Sequence, residues 1–166
     1  MGTSSAEEWR IFQERVADLF RRISTCKVTV GETLNGTRIG SVEVDVVARF
    51  GAEKSFCRQH KFVFTVLVEC KFWKSRVPQE KLFALKAIVE DLGAALGILV
   101  SEVGVQKGAS EYLDSPINVK ALTFAELEAY VAGMFNGICS DCGKQIIIPF
   151  PNHAGKPLYC SDCFHR

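Results

Sequence analysis

No stretch of this chain approaches the roughly eighteen consecutive apolar residues that a membrane-spanning helix needs. Residues 1–10 are polar and hold no apolar core of a secretory leader, so neither a membrane nor an export route is expected. Internal repeats and low-complexity tracts are missing too, which argues against stacked-repeat and tract-driven disordered architectures. Nor does one charge dominate. The formal net charge is +1, so no global basic field argues for nucleic acid by itself. What is there is the profile of a soluble globular protein, 48% hydrophobic and 23% charged over 166 residues. That is enough for one domain of ordinary size and a small appendage. The charge is unevenly placed: Lys54, Arg58, Lys61, Lys71, Lys74, Arg76 and Lys81 crowd one segment.

Periodicity organises the rest. Residues 6–24 space Trp9, Phe12, Val16, Leu19, Phe20 and Ile23 as one apolar helical face. A short strand is expected over Lys27–Val30, then an Asn-Gly turn, then two strands, Val42–Phe50 and Lys61–Phe72, joined by a polar connection. Pro78 suits the first turn of a helix that carries Leu82, Leu85, Ile88, Val89 and Leu92 and stops at Gly93. Ala95–Ser101 reads as a strand, 103–113 as a helix and Ile117–Leu122 as a strand. Thr123 and Glu126 then form a capping box that opens a last helix. The order α-β-β-β-α-β-α-β-α gives an α/β domain over 1–135, a mixed sheet flanked by helices. A small module follows over 136–166.

Two of these strands carry charge where Val and Phe otherwise sit. VEVDVVARF holds Glu43 and Asp45, and FVFTVLVECKFW holds Glu69 and Lys71. Residues two apart on a strand share a face, so Val44, Val46, Val68 and Cys70 turn inward and the polar four turn together. Burying such groups is costly unless something uses them. With the strands adjacent and in register, Asp45 and Glu69 converge as hard oxygen ligands suited to magnesium or manganese. A metal there polarises a phosphoryl oxygen and acidifies its water, and Lys71 stands ready to stabilise the developing charge. Charged residues also sit on edge strands merely to block aggregation. Either motif alone therefore carries little weight, and their succession carries the reading.

An acidic residue on one strand, E-x-K on the next and then an amphipathic helix resemble the PD-(D/E)XK nuclease superfamily. The details are most similar to the Mrr-type restriction endonuclease catalytic domain. The resemblance covers VEVDVVARF, LVECKFW, the helix from Pro78, GILVSEVG and KGASEYL, most of residues 8–127. It implies a restriction-endonuclease-like fold and a Mg2+- or Mn2+-dependent endonuclease. Asp45 and Glu69 would be metal ligands and Lys71 the catalytic lysine. Two details depart from the family. Here 23 residues lie between Asp45 and Glu69, which asks for longer strands or an inserted loop. The family's first helix often places Glu directly after Phe, whereas here Phe12 is followed by Gln13 and then Glu14. Glu43, Glu14 and Gln79 are accessory candidates.

The seven cysteines include two C-x-x-C pairs, Cys139/Cys142 and Cys160/Cys163, separated by 17 residues. That spacing fits a tetrahedral structural Zn2+ site. Without an export signal it points to metal binding in a reducing cytoplasm rather than to disulfides. QIIIPF and PLY read as the short strands of a zinc ribbon, and Pro149, Phe150, Pro157 and Tyr159 resemble the ribbon pattern. A module this small has too little core to fold without its metal.

The leading expectation is a metal-dependent nuclease acting on nucleic acid, with DNA the expected form. The ribbon would hold substrate or a partner. A non-catalytic nucleic-acid-binding or adaptor protein on the same fold is the alternative, and a protein-binding module using the sheet as scaffold is a third. One site cuts one strand, so a double-strand cutter works as a homodimer or by successive nicks.

Overall fold

The computed structural model describes residues 5–23, 26–51, 63–106, 118–134, 136–143, 145–147 and 163. The chain divides into two compact units, Met1–Leu127 and Glu128–Arg166. Among the described residues, no helix is long and apolar enough to cross a membrane.

The first unit begins with α1 (Ser5–Arg21), whose buried residues Phe12, Val16, Leu19 and Phe20 form the expected stripe. A hairpin follows, β1 (Cys26–Asn35) and β2 (Ser41–Gly51), and then β3 (Val63–Lys71). Helix α2 (Gln79–Leu92) starts after Pro78 and stops at Gly93, and it leads into β4 (Leu96–Ser101). β5 (Val119–Thr123) and α3 (Phe124–Met134) follow, and the boundary between the units falls within α3. The sheet runs β1-β2-β3-β4-β5, antiparallel from β1 to β3 and parallel from β3 to β5. The mixed sheet expected from the sequence is therefore present. The Thr123–Glu126 box is formed as read: Glu126 Oε2 accepts from the Thr123 N–H at 2.7 Å, and Thr123 Oγ1 accepts from the Glu126 N–H at 3.3 Å.

Helices cover both faces of the sheet. Val47, Leu67 and Leu99 pack with Leu82, Leu85 and Val89 of α2. On the α1 side, Phe20 meets the Phe50 ring at 6.5 Å and Phe12 meets Phe72 at 5.4 Å. β4 is buried along its whole length, as a central parallel strand covered twice should be.

Two elements differ from expectation. β1 runs on to Asn35 instead of ending at Val30, because ladder pairing with β2 continues to Asn35↔Ser41 through residues whose composition is weakly strand-like. The expected helix over 103–113 does not begin at its start. Gly104 has φ +82°, its N–H donates to Ser101 Oγ at 2.9 Å, and Val105 bridges Val77. Residues 107–113 lie outside the described residues.

The β1–β2 turn is fastened to α2 by one carboxylate. Asp91 accepts from Thr37 Oγ1 at 2.8 Å, the Arg38 N–H at 3.0 Å and the Ile39 N–H at 3.0 Å. The approach is so close that a side-chain carbon at Gly36 would collide with this carboxylate, which explains the glycine of the Asn-Gly turn. These backbone donors hold the Asp91 carboxyl well below its ordinary value of 3.8. A lowered carboxyl adds stability that is complete above the ordinary value and disappears as pH falls below it. Asp91→Asn is therefore expected to lower the melting temperature at neutral pH and to flatten the acid side of the stability profile. An acid side as steep as the wild type's would disprove the assignment.

Candidate active site and zinc centre

The β2–β3 ladder is regular from Gly51↔Val63 to Val46↔Val68. The next step would set Asp45 opposite Glu69, and there the strands part. Asp45 replaces ladder pairing with its side chain: Oδ2 accepts from the Cys70 N–H at 2.6 Å. Of the intervening residues, 46–51 and 63–68 belong to the two strands, and residues 52–62 of their connection lie outside the described residues. Glu69 and Lys71 lie on one face of β3, and Lys71 Nζ donates to Glu69 Oε1 in a half-buried ion pair. On the far side, Lys71 pairs with Ser101 of β4. Cys70 faces inward and is 1% exposed, and burial first, then the charges of Asp45 and Glu69, push its thiol well up, so it is inert packing.

The electrostatics follow from crowding. Burial, then the negative charge of Glu69, lifts the Asp45 carboxyl from 3.8 to about 6, while the Cys70 N–H and Lys71 pull it down. Two carboxylates pressed together beside one lysine form a site whose negative charge is incompletely matched. That donor set, hard oxygens with a cation alongside, fits a magnesium or manganese ion.

The accessory candidates separate. Glu43 lies exposed at the rim, opposite Thr33, and adds repulsion to Asp45. Gln79 is half-buried in the first turn of α2, and no hydrogen bond among the described residues joins it to the trio. Glu14 is not brought to the cluster, because it faces outward and accepts from Arg21 Nη1 at 2.7 Å. Its neighbour Gln13 is, with 5% exposure, and its Nε2 donates to the Asp45 carbonyl at 3.1 Å and to Asp45 Oδ1 at 3.3 Å. Gln13 carries no charge, so the acidic pattern of the sequence does not point to it. Its signal was an amide set four residues after Trp9 and three before Val16, inside the apolar stripe.

In the second unit, β6 (Asn136–Ile138) and β7 (Gln145–Ile147) form an antiparallel hairpin with the first C-x-x-C at its turn. Gly143, at φ +69°, donates its N–H to the Cys139 carbonyl at 3.0 Å and closes the knuckle. The sulfurs of Cys139, Cys142 and Cys163 lie within 4.8 Å of one another. Zn–S bonds near 2.3 Å set tetrahedral sulfurs about 3.8 Å apart, so three ligands already fit zinc. Cys160 lies outside the described residues.

Comparison with known families decides the class. Residues 5–131 match the Mrr-type catalytic domain model, described as a restriction endonuclease. The chain belongs to this restriction endonuclease family. Residues 133–166 match a model described as a probable treble clef zinc finger. This accords with the small zinc module expected at the C-terminus and supports a structural Zn2+. The pairing partner of β7 is β6, ahead of the first knuckle, and Cys163 is helical; PLY lies outside the described residues. Among solved structures, a protein of unknown function, AF1548, has TM-score 0.54 at 17% identity, over 76% of this chain and 68% of that one. The fold is shared at that level. Two endonucleases are also similar. MspJI, solved with a 27-mer oligonucleotide, has TM-score 0.48 and 19% identity over 72% of this chain and 27% of its own. AspBHI, a DNA modification-dependent restriction endonuclease, has TM-score 0.45 and 14% identity over 80% and 38%. The chain thus spans about a quarter and two fifths of their lengths. No curated protein sequence matches the chain.

Proposed function

We propose that this chain is a Mg2+- or Mn2+-dependent endonuclease that hydrolyses phosphodiester bonds in DNA. The observation that carries the reading is the meeting of Asp45, Glu69 and Lys71 where β2 and β3 part. Asp45 and Glu69 hold the metal, which supplies Lewis acidity and an acidified water. Lys71, held beside Glu69 on the same face of β3, would meet the charge that builds on the phosphate. The finger, with Cys139, Cys142, Cys160 and Cys163 around zinc, holds substrate or a partner, and cutting both strands takes two copies or two successive nicks.

The test is cleavage of plasmid, linear and branched DNA with magnesium, with manganese and with EDTA. Cleavage should need the metal and stop with EDTA. Below about pH 6 the metal must displace a proton from Asp45. The metal concentration for half-maximal rate should then rise roughly tenfold per pH unit on the acid side. Metal-independent cleavage would defeat the reading. DNA binding that weakens with salt, without cleavage of any substrate, would favour a non-catalytic adaptor on the same fold.

A further inference from the structure

We infer that Gln13 is a positioning residue that fixes the Asp45 carboxylate for its metal. The inference rests on reading this site as metal-dependent. Two strands that part lose the hydrogen bonds that set their spacing, and here α1 supplies replacements to both. Trp9 Nε1 donates to the Cys70 carbonyl on β3 at 3.4 Å. One helical turn on, Gln13 Nε2 donates to the Asp45 carbonyl and to Asp45 Oδ1 on β2. The Cys70 N–H takes the remaining oxygen, Oδ2. Asp45 is thereby gripped at its main chain and at both carboxylate oxygens, which leaves its side chain one orientation. Further lone pairs on those oxygens stay available to a cation.

The chemistry of position 13 matters as much as its place. A buried amide at 5% exposure is retained only where its donors are used. A carboxylate there would be a third negative charge beside Asp45 and Glu69 and could not donate to Oδ1. A neutral donor steadies the ligand without adding to the repulsion. Outer partners that orient a metal ligand commonly change metal affinity or rate by roughly 10- to 100-fold.

The test compares the wild-type, zinc-loaded full chain with Gln13→Met, which keeps length and loses the donor, and Gln13→Glu, which keeps shape and inverts it. Mn2+ binding by electron paramagnetic resonance, hydrogen exchange of the Cys70 amide without added Mn2+ and cleavage kinetics are read in parallel. Mn2+ affinity should fall about tenfold or more in Gln13→Met, which loses the donor without adding charge, and the Cys70 amide should exchange several-fold faster in both variants. The metal needed for half-maximal cleavage should rise while the rate at saturating metal changes less. Zinc content should stay the same. Unchanged Mn2+ affinity together with unchanged Cys70 exchange overturns the positioning role and leaves the nuclease reading intact. Faster Cys70 exchange in the variants, with neither the wild type nor the variants binding Mn2+ or cleaving, would overturn the nuclease reading, while the grip on Asp45 itself would stand. If Gln13→Met fails to fold, Gln13→Glu carries the Cys70 exchange comparison, and exchange as slow as the wild type's overturns the positioning role.

Discussion

Lys71→Ala is expected to lower metal-dependent cleavage roughly a hundred- to a thousandfold, the loss seen when a preorganised charge partner of a transition state is removed. The side chain is 19% exposed and held in its pair with Glu69, so its ammonium is aimed before substrate arrives. Removing it leaves Glu69 without its partner beside Asp45, which increases the negative charge at the metal site. Metal binding should therefore survive or tighten in Lys71→Ala while turnover collapses, and that split separates a catalytic lysine from one that merely holds the fold. The melting temperature should change little, because Lys71 is outside the apolar cores on either face of the sheet. Full cleavage by the variant would remove Lys71 from the chemistry.

The second large effect concerns the finger. Stripping zinc with a strong chelator, or replacing Cys139 by Ser, is expected to unfold the 136–166 region. Cys139 and Cys163 are the buried residues that cluster there among those described, and two three-residue strands bury too little to hold themselves. Zinc binding contributes on the order of 10–16 kcal/mol in finger peptides, far more than such a hairpin can supply. Atomic absorption should find one zinc per chain before treatment and none after. Limited proteolysis should then cut beyond residue 134 while the first unit keeps its own melting transition. A zinc-free chain still protected from hydrogen exchange over 136–147 would refute the dependence.

Most of the first unit was legible because its elements have two-sided evidence. α1 shows an apolar stripe, α2 a stripe between Pro78 and Gly93, α3 a capping box, and β4 a short apolar run directly after a helix stop. The trio was legible for a related reason: charge in an apolar strand is conspicuous, and period two assigns its face. Less visible were features fixed by partners distant in sequence. β1 extends through Gly31 and Glu32 because β2 pairs with it, and Glu32 answers Arg49 across the ladder at 2.5 Å. Gly104 ended an apparent helix through a carbonyl that accepts from Val77, 27 residues away. The finger was legible from its two C-x-x-C pairs, because thiols at that spacing can share one ion. Gln13 is inconspicuous in the sequence because its value lies in a neutral donor, whereas carboxylates are what mark a metal site.

The bridge between Val77 and Val105 has a consequence for how this protein can vary. Val77 N–H donates to the Gly104 carbonyl and Gln106 N–H to the Val77 carbonyl, each at 3.0 Å, so the chain leaving β3 and the chain leaving β4 are stitched one to the other. Inserting a residue into either segment alone would slide one past its stitches and misplace the start of α2. Length changes at this end of the sheet are therefore tolerated as matched pairs, and a single unpaired insertion there should be far more damaging than one in the β1–β2 turn.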